Sequence, residues 1–209
     1  MSPFSVVAGS AGRALAVAAV AAVAATIAAC SHVPVKTMWH LRNFDPMTTD
    51  PARLRAAVAM PSEALPARGG AKLVMTQQRK GGADAETLEI QLEEVALAAE
   101  TGMAAVKPKK GQEVRAFRIP PAEIPRLTEA RARAAARAAK EPGAFEGSLS
   151  VGIDGCRKAD APLPKEFRVS TWLKTAETVE YLTVLDDVDL VKLVGAEKLA
   201  AEAKVCEAG

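Results

Sequence analysis

The chain has 209 residues, with 27 lysines and arginines against 25 aspartates and glutamates, for a formal net charge of +2. That balance lacks the concentrated basic excess of a general nucleic-acid binder, so no nucleic acid is expected as a partner. Charged residues at 25%, interleaved with periodic apolar segments, exclude a disordered chain, while the 49% hydrophobic content is inflated by alanine.

The N-terminus reads as an address. Residues 14–29 run ALAVAAVAAVAATIAA without a charge, and Arg13 precedes them. As a helix this run spans about 24 Å at about 1.5 Å per residue, short of the hydrocarbon core of about 30 Å. A basic start, a short apolar stretch and small residues at its end describe a secretory signal peptide over residues 1–29. A buried alanine-rich helix and a permanent single-span anchor are the alternatives. Ile27-Ala28-Ala29-Cys30 resembles the lipobox of bacterial lipoproteins, with isoleucine where leucine is usual. The resemblance covers residues 1–30 only. It implies diacylglycerol on the Cys30 sulfur, cleavage before Cys30 and an acyl chain on the new amine. The membrane is then a partner through these acyl chains, since two or more bind stably. Ser31 follows, where aspartate resembles an inner-membrane retention signal. The expected location is therefore the bacterial cell envelope, facing the periplasm, with the outer membrane favoured over the inner. With Cys30 lipidated, Cys156 and Cys206 remain as an even pair in an oxidising compartment, and a disulfide between them is expected. Two unpaired thiols, or a reactive Cys156, are the alternatives.

After a tether over residues 30–34, whose Ser31–Pro34 span reaches at most about 14 Å, a single α+β domain is expected over 35–209. Val35–Phe44 reads as a strand. Thr49-Asp50-Pro51 reads as a helix start, with Asp50 as cap and Pro51 at the first helical position. This helix has Leu54, Ala57 and Val58 on one face and ends at Met60-Pro61. A loop through Gly69-Gly70 leads to a strand at Lys72–Arg79, and Gly81–Asp84 is a turn. Leu88, Ile90 and Leu92 alternate with Glu89, Gln91 and Glu93 in the clearest strand; the parity slips before Val95, which predicts a bulge near Glu93-Glu94. A further strand covers Glu113–Ile119.

Pro125–Lys140 reads as a helix with two faces. Arg126, Arg133, Arg137 and Lys140 form a basic stripe, and Leu127, Ala135, Ala138 and Ala139 are placed opposite it. Arg131 falls among the latter, so it snorkels or finds a buried partner. Strands follow at Phe145–Ile153, Phe167–Lys174 and Thr178–Leu185, and Asp187–Lys204 reads as helical with a break at Gly195. The expected fold is α+β, a mainly antiparallel sheet with helices packed on one face. A duplicated βαββ unit and one continuous sheet are both compatible with the order of elements.

No motif has catalytic spacing, and no metal or cofactor framework is recognisable. Gly147–Gly152 does not match a nucleophile elbow, and Asp186–Asp189 lacks the glycine and glutamate of a calcium loop, so Asp186 or Asp187 is read as a helix cap. His32 and His40 are eight residues apart, on opposite sides of the boundary between tether and strand, and do not read as a metal pair. Glu89, Glu93 and Glu94 read as a solvated face. The basic stripe is a solvated face or a surface for an anionic partner, and the short tether brings it near anionic headgroups. Two functional classes remain. The favoured one is a non-enzymatic binding or accessory module that docks an envelope protein or an anionic envelope component. The other is an envelope enzyme whose site is assembled from scattered carboxylates.

Overall fold

The computed structural model describes residues 44–82, 85–159, 161, 164–202 and 204–206. The signal segment, the lipobox with Cys30, both histidines and nearly all of the expected first strand lie outside the described residues.

Asp50 does cap a helical turn, accepting from the Ala52 N–H at 2.9 Å, but only a single 3₁₀ turn over Pro51–Arg53. The expected helix is instead strand β1 (Arg55–Pro61). Its physical reason is burial on both sides. Val58 and Met60 enter one core, while Ala57 and Ala59 enter a second core on the opposite face. A strand covered on both faces shows no polar alternation, and its alanines score as helix formers.

The remaining elements are β2 (Ala64–Arg79), β3 (Ala85–Gln91), β4 (Glu93–Val95), β5 (Gln112–Arg118), helix α1 (Ile124–Lys140), β6 (Phe145–Arg157), β7 (Arg168–Lys174), β8 (Leu182–Asp189), α2 (Leu190–Val194), α3 (Ala196–Glu202) and β9 (Lys204–Val205). The fold is α+β and mostly antiparallel, and the strands divide between two sheets. One sheet has the order β4-β5-β1-β7-β8 and the other β3-β2-β6-β9, with only the β6–β9 pair parallel. The parity slip after Leu92 is not a bulge. β3 ends at Gln91 on the edge of one sheet, Leu92 is buried at the crossing, and β4 pairs with β5 in the other sheet. With β1 extended, the described residues of the first half hold no α-helix to match α1, so the order of described elements contains no repeated βαββ unit.

The two sheets face each other across a shared core that draws Leu54, Val58 and Met60 from one and Leu73, Met75 and Ile90 from the other. At the β3 end, α1 fills the space between them. Its buried residues are Leu127, Ala130, Arg131 and Ala134. This corrects the expected face, because Ala135, Ala138 and Ala139 are exposed. At about 100° per residue the buried row is centred roughly a quarter-turn from the basic stripe, neither on it nor directly opposite. Alanine on every side of the helix left the wheel without contrast.

The expected C-terminal helix also starts later. β8 runs on to Asp189, and it is Asp189, not Asp186 or Asp187, that caps α2 by accepting from the Val191 N–H at 3.1 Å. Gly195, at φ +91°, separates α2 from α3. β9 then lies beside the end of β6, where Cys156 and Cys206 form a disulfide with Cα atoms 4.9 Å apart.

The outer face of the five-stranded sheet is roofed by the segment between β4 and β5. Met103 and Val106 pack on Ala57, Ala59, Ala116 and Trp172. A buried polar network fastens this roof. The fully buried Tyr181 donates its hydroxyl to Glu100 at 2.9 Å, and Arg55 Nε donates to the other Glu100 oxygen at 3.2 Å. Burial of the ring, followed by the Glu100 carboxylate, pushes the Tyr181 phenol far above its ordinary range.

Candidate functional site

At the end of the interlayer space away from α1, no helix is inserted between the sheets. A cavity of about 1200 Å³ remains there, larger than the roughly 300–1,000 Å³ of ordinary small-molecule pockets. Leu54, Val58, Val169 and Leu173 form one wall and Leu73, Leu149, Val151 and Ile153 the other. Both walls follow from register. Ala56 pairs with Leu173 and Val58 with Thr171, which places these side chains on one face of β1 and β7. Leu73 pairs with Val151 and Met75 with Leu149, which sets the inward row of β2 and β6. Leu149, Val151 and Ile153 pack against the shared core but are only half-buried, so this apolar row is incompletely covered. From Leu149 to Arg157 the β6 wall runs about 26 Å at about 3.3 Å per residue.

The C-terminal segment covers the cleft. Leu190 and Val194 of α2 and Leu199 of α3 line it, and the Cys156–Cys206 bridge ties the end of this cover back to β6. Val194 is nevertheless 40% exposed and its neighbour Leu193 55% exposed, so the cover presents apolar side chains outward as well.

The charged residues of the lining gather at one end. Between Pro66 and Ala71 the register of β2 against β6 shifts, and the bulged chain carries Arg68 outward. Gly70 is required there, because a Cβ would stand 2.7 Å from the Asp154 carbonyl oxygen. Arg68, Lys72, Asp154, Arg157 and Lys204 surround this end, with Lys72 3.6 Å from Asp154. Among the described residues, no group of three or more His, Cys, Asp or Glu side chains is placed to hold a metal ion.

The structure separates the four members of the basic stripe. Arg133 and Arg137 both reach Glu86 of β3, Arg133 through Nε at 3.3 Å and Arg137 through Nη1. Arg126 pairs with Glu123 at 3.1 Å, and Lys140 is exposed and without a partner among the described residues. Arg131 is 8% exposed and donates from Nη1 to the Thr49 carbonyl at 2.7 Å, while its Nε and Nη2 have no hydrogen-bond partner among the described residues. Glu86 shares a sheet face with Gln77, whose amide donates to the Ala134 carbonyl at 3.0 Å. Two stripe residues therefore dock α1 onto β2 and β3. The cleft was missed in the sequence, because apolar alternation looks the same whether the facing layer is present or not.

Hydrogen bonding from Arg137 holds the Glu86 carboxyl below the usual carboxylate range, against its partial desolvation. Lys109 and then Arg168 hold the Asp187 carboxyl low in the same way. A group depressed in the folded state contributes stability that is complete above its unfolded value and lost as the pH falls through the folded one. Thermal stability is expected to hold near neutral pH and to fall below about pH 4.5, the region of unperturbed carboxylates. Glu86→Gln and Asp187→Asn each make that acid-side fall shallower. Melting temperatures across the acid range check this, and an unchanged profile in both variants would locate the sensitivity elsewhere.

Compared with known protein families, with curated proteins and with solved structures, the chain matches none of them. No described helix is long and apolar enough to cross a membrane.

Proposed function

We propose that this protein is a lipid-anchored envelope protein that binds an apolar ligand, without turnover, in the cleft between its two sheets. The observation that carries this reading is the cleft itself: about 1200 Å³ walled by aliphatic side chains, with its charges gathered at one end. Water gains few hydrogen bonds along such walls, whereas each buried methylene of a ligand gains about 0.8 kcal/mol. A long acyl chain suits both the material and the length of the β6 wall. The lipobox-like Ile27–Cys30 segment supports placement beside a membrane, where acyl chains are abundant. The alternative of scattered carboxylates gains nothing from the lining, in which Asp154 is the one carboxylate among the described residues.

Two experiments test the reading. Protein purified from envelopes should carry extractable acyl species, and Val151→Trp, which places an indole in the cleft, should lower their recovery about tenfold while cooperative unfolding is retained. Equal recovery from both proteins would overturn the cleft as the site. For the anchor, Cys30→Ser should abolish lipidation and release the protein from membranes. A Cys30→Ser chain that resists an alkaline wash as well as the parent would replace the lipid anchor by a spanning one.

A further inference from the structure

The charged end of the cleft has a sign. Of the five charged residues at this end, Lys72 and Asp154 lie 3.6 Å apart on the outward parity of β2 and β6, opposite to Leu73 and Ile153, and offset each other. Arg68, Arg157 and Lys204 are left, all three cationic. Arg157 shares a sheet face with its cross-strand partner Ala64, which is buried in the core between the sheets, and with Ile153 two pairs further along the cleft wall. Its guanidinium is half-buried and makes one long hydrogen bond, 3.3 Å to the Ala159 carbonyl, leaving most of its five donors unused. Arg68 and Lys204 are exposed on either side, one on the bulge of β2 and the other on β9. Neither side chain makes a hydrogen bond or ion pair among the described residues.

We propose that this end of the cleft reads an anionic headgroup: Arg68, Arg157 and Lys204 hold the charged end of an amphiphile whose acyl chain lies along Leu149, Val151 and Ile153. The inference rests on the cleft being an apolar-ligand site and names the class of ligand it takes. A guanidinium beside a hydrocarbon wall suits a carboxylate or phosphate, which it engages through paired N–H donors. A neutral headgroup would leave three cations without partners at the entrance. A cationic one would be repelled. The shared chemistry is an acyl chain ended by an anion, supplied either by a free fatty acid or by an acidic phospholipid.

The test uses the full lipidated chain in its membranes and three photoactivatable probes with the same diazirine-bearing chain: a fatty acid, a phosphatidylglycerol and a fatty alcohol. Crosslinked residues are mapped by mass spectrometry. Labelling on β6 and α3 should be about tenfold stronger for at least one anionic probe than for the alcohol. The stronger of the two anionic probes identifies the source. Arg157→Gln should bring anionic labelling down to the level of the alcohol and leave alcohol labelling unchanged, while Arg157→Lys retains part of the preference. Arg68→Gln changes an exposed residue and should lower anionic labelling severalfold, which keeps the result readable if Arg157→Gln fails to fold. Equal cleft labelling by all three probes would overturn the headgroup assignment and leave the apolar cleft standing. Labelling by none of them would overturn both.

Discussion

Removing the Cys156–Cys206 bridge by a double alanine substitution is expected to cost about 4 kcal/mol of stability in the chain-entropy view. The bridge closes a loop with a sequence separation of 50, long enough for its loss to release a large part of the unfolded chain. The cost has a local part as well. β9 is two residues long and joins its sheet only through β6, so little else holds the end of the cleft's cover in place. Denaturant unfolding of the double variant should show a midpoint well below the parent's. Amide exchange in α2 and α3 should rise more than exchange in β1. A variant as stable as the parent would show that α2 and α3 stay docked by their apolar contacts alone.

Leu127→Ala is expected to destabilise by about 2–5 kcal/mol, the range for a leucine truncated in a closed core. Leu127 is 0% exposed and sits between the sheets with Phe117, Ile119 and Leu92. Its neighbours on the buried row, Ala130 and Ala134, are too small to refill the space. Ala138→Gly provides the contrast. Ala138 is exposed, so that change should cost only the roughly 1 kcal/mol of helix propensity. Comparable losses in the two variants would mean that the buried face has been misassigned.

The legible parts of the fold were those where one face meets water. In β3, Leu88 and Ile90 alternate with Glu89 and Gln91, and the strand stands where that pattern puts it. α1 is flanked by Pro125 near its start and by Pro142-Gly143 beyond its end, so its extent was readable while its rotation was not. β1 failed for the opposite reason. A strand buried on both sides loses the polar half of its signal, and four alanines, Ala52, Ala56, Ala57 and Ala59, supplied a helical one. Asp187 hid the end of β8, because an aspartate there reads as a helix cap, whereas it stands at φ +55° within the strand. The disulfide could be expected once Cys30 is assigned to the lipid, because two cysteines then remain for an oxidising compartment. The cleft could not, because its walls are ordinary strands and only their three-dimensional separation makes it a site.

The crossing at Leu92 gives the molecule a spine. Along the β3–β4 side the two sheets are joined through this one buried residue, with α1 wedged beside it. Along the opposite side the edges are β8 and β9, bridged by two short helices that meet at Gly195 and end in a single covalent clasp. The covalent clasp returns to β6, within the four-stranded sheet, so across this edge the two sheets are held together by the run of the two helices and by the apolar side chains those helices place on the core.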